Sequence, residues 1–169
     1  MTQQEYQQEI DFIFNRFPSY QKVGKVAYKP GIETMQAIDS MLGAPHRNYR
    51  TIHVAGTNGK GSTSHMLAAA LQKNCKVGLY TSPYVRVFNE RMRVNGENIS
   101  DEKLARLTEK VKAFAEKMAD RPTEFELITA IAFEFFKEEK CDIVVLEVGL
   151  GGRLDATNII KTPTNSLLS

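Results

Sequence analysis

The chain has 169 residues, of which 42% are hydrophobic and 25% are charged, and its net charge is +2. This composition is typical of a folded globular protein and excludes a disordered chain, a collagen-like fibre and a disulfide scaffold. The weak net charge argues against a nucleic-acid or anionic-membrane partner. The longest apolar run is shorter than the ~18 residues of a membrane span. Cys75 and Cys141 form no CxxC pair. We therefore expect a cytoplasmic protein with reduced thiols.

The first fifty residues predict two helices joined by a loop. Thr2 and Glu5 have the spacing of a capping box. Apolar residues at helical spacing then run to Phe17, and Pro18 ends the helix. After a polar, basic loop, a second helix is expected from about Ile32 to Leu42.

The remaining sequence alternates predicted strands and helices. Residues 51–55, 76–80 and 141–148 are apolar, as buried parallel strands are. Predicted helices follow residue 62, Ser100 and the capping box of Thr123 and Glu126, and Asn95-Gly96 predicts a hairpin. The alternation predicts an α/β fold with a mostly parallel sheet of the P-loop type, flanked by helices. Loops after the strands should then meet at one edge of the sheet.

The segment GTNGKGS at 56–62 predicts a phosphate-binding loop between a strand and a helix. Its glycines allow backbone N–H groups to point inward, and the helix N-terminus favours an anion. Lys60 would bind the β- and γ-phosphates, and the Ser62 hydroxyl would bind a phosphate or a metal. The spacing differs from GxxxxGK[ST], and the alternative is a glycine-rich turn with a solvated lysine.

Glu147 ends the third predicted strand, where a carboxylate can hold Mg²⁺ opposite a phosphate loop. Ser82 ends the second strand at the same edge and is a second candidate ligand. The alternatives are a strand-end glutamate that meets solvent and a Ser-Pro pair that only begins a turn.

Several other residues allow two readings. Arg153 and Asp155 could bind a ligand or pair with each other, and Phe125 could belong to the core or to a binding site. His46, His53 and His65 lack the mutual spacing of metal ligands and are interpreted as structural.

Five segments together resemble the folylpolyglutamate synthase/dihydrofolate synthase family of Mur-ligase-type, ATP-dependent amide ligases. They are VAGTNGKGS at 54–62, GLYTSP at 78–83, NERMRVNG at 89–96, TEFELITAIAFEFF at 123–136 and VLEVGLGGRLDATNII at 145–160. The resemblance covers about residues 31–160. GTNGKGS is shared by many Mur-type ligases, whereas EVGLGGRLDATN points to the folate branch.

The resemblance implies a reaction, its cofactors and its site. The family activates a carboxylate with ATP as an acyl phosphate, which the amino group of glutamate then attacks. ATP would be bound by Thr57, Asn58, Gly59, Lys60, Gly61 and Ser62, and Mg²⁺ by Ser82 and Glu147. A pterin pocket would be lined by Lys29, Pro30, Gly31, Thr123, Glu124, Phe125, Glu126, Leu154, Asp155 and Ala156. Lys60 and Glu147 would serve catalysis, and the partners would be glutamate and either folate or dihydropteroate, with no nucleic acid or membrane.

The sequence also departs from the family pattern. Tyr84 stands where the family usually has His after Ser-Pro, and Ser169 is only 22 residues past Glu147 (169 − 147). We therefore expect an incomplete portion of a ligase that is monomeric at full length, with N-terminal helices and a pterin-side loop at 1–50 and an incomplete ATP-binding domain at 51–169.

With three parallel strands, we expect an open apolar edge that leaves Val144, Val145 and Leu146 underpacked. The chain alone should then be poorly soluble or marginally stable and should show no ligase turnover. The competing readings are a non-catalytic nucleotide-binding module and another Mur-type ligase.

Overall fold

The computed structural model describes residues 2–17, 31–149, 154–161 and 163–168. The helices are α1 (Gln3–Arg16), α2 (Glu33–Met41), α3 (Lys60–Leu71), α4 (Asp101–Ala115) and α5 (Glu124–Glu138). The strands are β1 (Arg50–Ala55), β2 (Val77–Tyr80), β3 (Met92–Val94), β4 (Glu97–Asn98), β5 (Ile143–Glu147) and β6 (Asn165–Leu168). Short 3-10 helices occupy Pro45–Asn48, Phe88–Arg91 and Ala156–Ile159.

The strands form one mostly parallel sheet in the order β4-β3-β2-β5-β1-β6. β2, β5, β1 and β6 are mutually parallel, and β3 and β4 add an antiparallel hairpin at one edge. The predicted α/β architecture is confirmed. In this register Val54 faces Glu147 and Tyr80 faces Leu146, so the chain leaves β1, β2 and β5 at the same edge.

Helices cover both faces of the sheet. α3 packs on one face against a cluster that includes Ile52, Val54, Leu79 and Val145. The larger core lies on the other face, where α5 contacts the sheet and α1, α2 and α4 pack against α5. Most of α5 is buried, including all residues from 126 to 136, which explains why apolar residues occur on every side of this helix. The same burial encloses the carboxylates of Glu126 and Glu134.

Local sequence signals account for several element boundaries. Thr2 and Thr123 form the two predicted capping boxes at the starts of α1 and α5. Ser100 caps α4 by accepting a hydrogen bond from Lys103 N. Asn95 and Gly96 have φ of 48° and 86°, as a tight hairpin turn requires at both central residues.

The expectation of three parallel strands with an underpacked third strand is wrong. A fourth parallel strand, β6, pairs with β1, and β5 lies between β1 and β2 at the centre of the sheet. Val144, Val145 and Leu146 are therefore fully buried. The sheet edge formed by β6 is exposed instead, along all four of its residues. β6 was not predicted because its sequence is short and half polar. Backbone pairing with β1 holds this strand in place, and it has no buried apolar face.

None of the helices in the described ranges is long and apolar enough to cross a membrane.

Candidate functional site

The glycine-rich segment connects β1 to α3 in a conformation that depends on glycine. Gly56 has a φ of 140° and Gly59, the N-cap residue of α3, has a φ of 79°. Both values are rarely adopted by residues with a Cβ atom. α3 begins at Lys60, inside the segment predicted as the loop, so the amides of Lys60, Gly61 and Ser62 belong to its first turn. N–H groups in a first helical turn have no partner within the helix and can bind an anion.

The Lys60 side chain lies over its own loop. Its Nζ donates hydrogen bonds to Gly56 O at 3.0 Å and to Thr57 O at 3.4 Å. The ammonium is therefore held beside the first turn of α3, where a phosphate bound to that turn would lie within its reach.

Glu147 lies against this loop and against the end of β2. Its Oε2 accepts a hydrogen bond from Ser82 N at 3.0 Å. A Cβ atom added to Gly61 would lie 3.7 Å from both Glu147 carboxylate oxygens. Ser82 and Glu147 thus lie together at the sheet edge that carries the glycine-rich loop, as expected from the sequence.

Burial governs the charge state of Glu147. The residue is 5% exposed. Desolvation raises the pKa of its carboxyl group above the ordinary value, while the hydrogen bond from Ser82 N and the positive charge of Lys60 act in the opposite direction. A cation bound at this carboxylate would stabilise its ionised form.

The residues at this edge fit a hard divalent cation such as Mg²⁺. Within the described ranges, no group of three or more His, Cys, Asp or Glu side chains could hold a metal ion. Mg²⁺ does not need such a group, since it is commonly held by one or two carboxylates together with waters and substrate phosphates. The Glu147 carboxylate and the Ser82 hydroxyl, next to a loop suited to phosphate, supply that donor chemistry.

A second group of residues begins two positions after Glu147. The Phe125 ring packs so closely on the backbone of Gly149 that a Cβ at Gly149 would lie 2.5 Å from Phe125 Cζ. The Phe125 and Tyr80 ring centroids are 6.1 Å apart. Tyr80 is fully buried, and its hydroxyl lies 3.1 Å from Thr129 Oγ1. Phe125 itself is half-buried, so part of its ring is available to a flat ligand.

Asp155 is buried beside this aromatic group and organises the backbone around it. Oδ1 accepts a hydrogen bond from Gly149 N at 3.0 Å. Oδ2 accepts from Thr157 N at 3.1 Å and from Thr157 Oγ1 at 2.6 Å. The carboxylate thus caps the 3-10 helix Ala156–Ile159 and ties it to the end of β5.

The other predicted pocket residues fall into three sets. Thr123 and Glu126 bond to each other in the capping box of α5. Glu124 and Ala156 are buried, whereas Gly31, with a φ of 128°, and Leu154 are at least partly exposed. Lys29, Pro30 and Arg153 lie outside the described residues, so the predicted pterin-side loop and the suggested pairing of Arg153 with Asp155 stay predictions.

Several residues at this edge were not predicted from the sequence. Gly149 is required by the close approach of Phe125, and Tyr80 and Arg91 contribute buried polar groups. A tyrosine inside an otherwise apolar strand and an arginine next to a hairpin were the available signals. Neither residue type has a fixed spacing to the glycine-rich loop.

The chain is similar in sequence to known enzymes over most of its length. It is 46% identical over 143 residues to the dihydrofolate synthase/folylpolyglutamate synthase of Bacillus subtilis, a match that covers 81% of this chain and 33% of the relative. The chain thus spans about a third of the length of this curated relative. No family model matches the chain.

Solved structures give the same result. A folylpolyglutamate synthase (FPGS) complex with AMPPCP and folate superposes with a TM-score of 0.84 and 38% identity, covering 96% of this chain and 39% of the other. A bifunctional folylpolyglutamate synthase/dihydrofolate synthase with Mn, AMPPNP and L-glutamate bound gives a TM-score of 0.77 and 35% identity, covering 83% and 34% respectively.

Proposed function

Since the chain belongs to the folylpolyglutamate synthase/dihydrofolate synthase family, of whose members it spans about a third, we propose that it supplies the ATP- and pterin-binding part of a glutamate ligase. The ligase would join glutamate to the carboxylate of folate or dihydropteroate. The observation that carries this proposal is the position of Glu147, which contacts the turn at Ser82 and faces Gly61 of the glycine-rich loop.

Each half of the proposed site has a distinct task. The first turn of α3, with Thr57, Asn58, Gly59, Lys60, Gly61 and Ser62, binds the ATP phosphates. Glu147 and Ser82 hold the divalent cation, which neutralises charge on the transferred phosphoryl group. Nucleotide analogues and Mn are bound in the related structures, which supports both assignments.

The pterin end of the substrate binds at the aromatic group. Phe125 offers a ring face to a flat heterocycle, and Asp155 offers a carboxylate to its amino-pyrimidine edge. Gly31, Leu154, Ala156 and the α5 N-terminal residues Thr123, Glu124 and Glu126 complete this pocket, with Lys29 and Pro30 from the loop before α2. Folate in a related complex supports the substrate class.

The reaction then proceeds in two substitutions. A carboxylate oxygen of the pterin substrate attacks the γ-phosphorus of ATP, and ADP leaves as the acyl phosphate forms. The glutamate amine attacks the acyl carbon, phosphate leaves, and the amine loses its proton as the amide forms. Lys60 stabilises charge on the phosphates during the first substitution.

Nucleotide binding tests the proposal on the chain as it stands. ATP affinity is measured by calorimetry with and without Mg²⁺ for the wild type, Lys60→Ala and Glu147→Gln. We expect Lys60→Ala to remove most binding in both conditions, and Glu147→Gln to lower affinity only in the presence of Mg²⁺. Near-normal ATP affinity in Lys60→Ala would contradict the phosphate role, and an unchanged Mg²⁺ effect in Glu147→Gln would contradict the metal role.

Turnover distinguishes the ligase from a nucleotide-binding module. Glutamate-dependent release of ADP is assayed with dihydropteroate, with folate and with a nucleotide-linked muropeptide as the carboxylate substrate. Release with either pterin supports the ligase and identifies the acceptor. Because no turnover is expected of this portion alone, the absence of release is resolved by pterin binding. ATP binding without calorimetric binding of folate or dihydropteroate would support the module instead.

A further inference from the structure

Arg91 contacts the chain on both sides of Ser82. Thr81 N donates a hydrogen bond to Arg91 O at 3.1 Å. The Arg91 guanidinium carbon lies 5.6 Å from the centroid of the Tyr84 ring. The residue before Ser82 and the aromatic ring two positions after it are thus both held by the same arginine.

The arginine itself is firmly placed. It is 6% exposed, and its guanidinium carbon lies 5.5 Å from the ring centroid of Phe88, a core residue. The Phe88 and Tyr84 rings meet edge-on, 5.9 Å apart. In the described part of the chain, Arg91 Nε is buried without a hydrogen-bond partner. The faces of the two rings therefore provide favourable surroundings for this buried cation.

Arg91 also reaches the end of β2. Burial raises the pKa of Tyr80 to about 12, and the Arg91 charge acts on that hydroxyl in the opposite direction. On the outer side of the same turn, Glu90 Oε2 accepts hydrogen bonds from Val85 N at 2.9 Å and Arg86 N at 3.3 Å. Glu90 and Arg91 thus hold most of residues 81–86 in place by hydrogen bonds and a ring contact.

We propose that Arg91 is a positioning residue that, with the ring of Tyr84, fixes the Ser82 hydroxyl beside the Glu147 carboxylate for metal binding. This inference rests on the proposed function of Ser82 and Glu147 as Mg²⁺ ligands. In this role Tyr84, which stands where the family usually has His after Ser-Pro, acts through its aromatic ring and does not bind the metal. A planar guanidinium can lie on two rings, whereas a lysine ammonium is a point charge on a flexible stem.

The test compares Mg²⁺-dependent binding of a fluorescent ATP analogue to the 169-residue chain and its variants. Arg91→Lys keeps the charge but loses the planar group. We expect its metal-free affinity to match the wild type and its apparent Mg²⁺ affinity to fall about tenfold or more. Ser82→Ala should show the same loss, and combining the two substitutions should add little to either one. Arg93→Lys is the matched control, because Arg93 also has a buried Nε but lies in β3, two residues after Arg91. The Mg²⁺ affinity of this variant should equal that of the wild type.

A second pair of variants tests the proposal even if the Arg91→Lys protein does not fold. Tyr84 is 37% exposed, so its replacement leaves the core in place. Tyr84→Leu should reproduce the Mg²⁺ defect, and Tyr84→Phe should restore wild-type behaviour. Normal Mg²⁺ affinity in both Arg91→Lys and Tyr84→Leu, with a defect in Ser82→Ala, would overturn the positioning role and leave the metal site standing. The absence of any Mg²⁺ effect in the wild type would overturn both.

Discussion

Gly149 shows how a single missing side chain shapes the candidate site. The backbone at this position approaches the Phe125 ring so closely that no Cβ fits without displacing it. Gly61 differs, because its nearest neighbours, the Glu147 oxygens, would be in ordinary contact at 3.7 Å. One glycine is thus required for packing, and the other leaves space beside a carboxylate.

Alanine at the two positions should therefore separate stability from metal binding. We expect Gly149→Ala to lower the free energy of unfolding by about 1–3 kcal/mol through overpacking. Gly61→Ala should leave that free energy unchanged or raise it by up to ~1 kcal/mol through helix propensity, while its methyl group weakens Mg²⁺-dependent nucleotide binding. Urea unfolding and calorimetric titration measure the two effects, and a stable Gly149→Ala protein would disprove the close approach.

The raised pKa of Glu147 predicts a pH dependence of stability. Because the folded protein holds this proton to a higher pH than the unfolded chain does, Glu147 favours folding at low pH. Its contribution is lost as the pH rises from the ordinary glutamate pKa through the raised value. Glu147→Gln cannot titrate, so its stability relative to the wild type should increase across that range. Urea unfolding at a series of pH values measures the difference, and a constant difference would contradict the burial argument.

At the residue scale, the sequence predicted which residues lie at the shared sheet edge better than it predicted their contacts. The loop at 56–62, Ser82 and Glu147 were predicted because their residue types follow the ends of strands. Asp155 was left open between two roles, since nothing in its spacing shows the Gly149 amide that it binds. The roles of Arg91 and Tyr80 depend on contacts between distant elements, and their residue type within a strand or beside a hairpin was the one local signal.

Helix α5 packs against β2 at another point of close approach. A Cβ on Gly78 would lie 2.6 Å from Phe136 Cδ1 and 3.0 Å from Val144 Cγ2. Both neighbours are fully buried and have little freedom to move. The distance between this helix and the sheet is thus set partly by a glycine.

Gly78→Ala should accordingly destabilise the protein by about 1–3 kcal/mol without abolishing its fold. Phe136→Leu in the same protein should recover part of the loss, because it removes the ring that the new methyl group meets. Thermal unfolding of the two single variants and the double variant measures this coupling. Strictly additive effects would show that the methyl group and the ring do not meet.

The helices and strands differ in how well their positions can be predicted from local sequence. Capping boxes and the Asn95-Gly96 turn are short-range signals, and each fixed its element as predicted. β6 has no such signal, because Asn165 and Ser166 are polar and the strand is exposed along its length. Its place depends on pairing with Ile52–Ala55, residues more than a hundred positions earlier.

Across the whole molecule, the two edges of the sheet are unequal. The β4 edge is two residues long and begins with a charged residue, Glu97. The β6 edge carries Leu167 and Leu168, the latter 89% exposed, and none of its four residues is charged. An uncharged exposed edge strand favours pairing with other chains.

Placing a charge on this edge should reduce self-association. We expect Leu168→Lys to stay monomeric at concentrations where the wild type associates, with the same free energy of unfolding, because the side chain is exposed. Light scattering across a concentration series and urea unfolding measure the two quantities. Equal association of both proteins would show that the β6 edge is not the contact.

The burial of α5 has a further consequence for how the molecule opens. A helix enclosed on all sides can exchange its amide hydrogens only when the whole domain unfolds, whereas the exposed segment at 83–87 can open by itself. Phe125 and Glu147 are anchored in the slowly exchanging centre, whereas Ser82 precedes a solvent-exposed segment that contacts with Glu90 and Arg91 hold in place. We therefore expect slow hydrogen exchange on the Glu147 side of the proposed metal site and faster exchange at 83–87, where the segment opens whenever its contacts with Glu90 and Arg91 break.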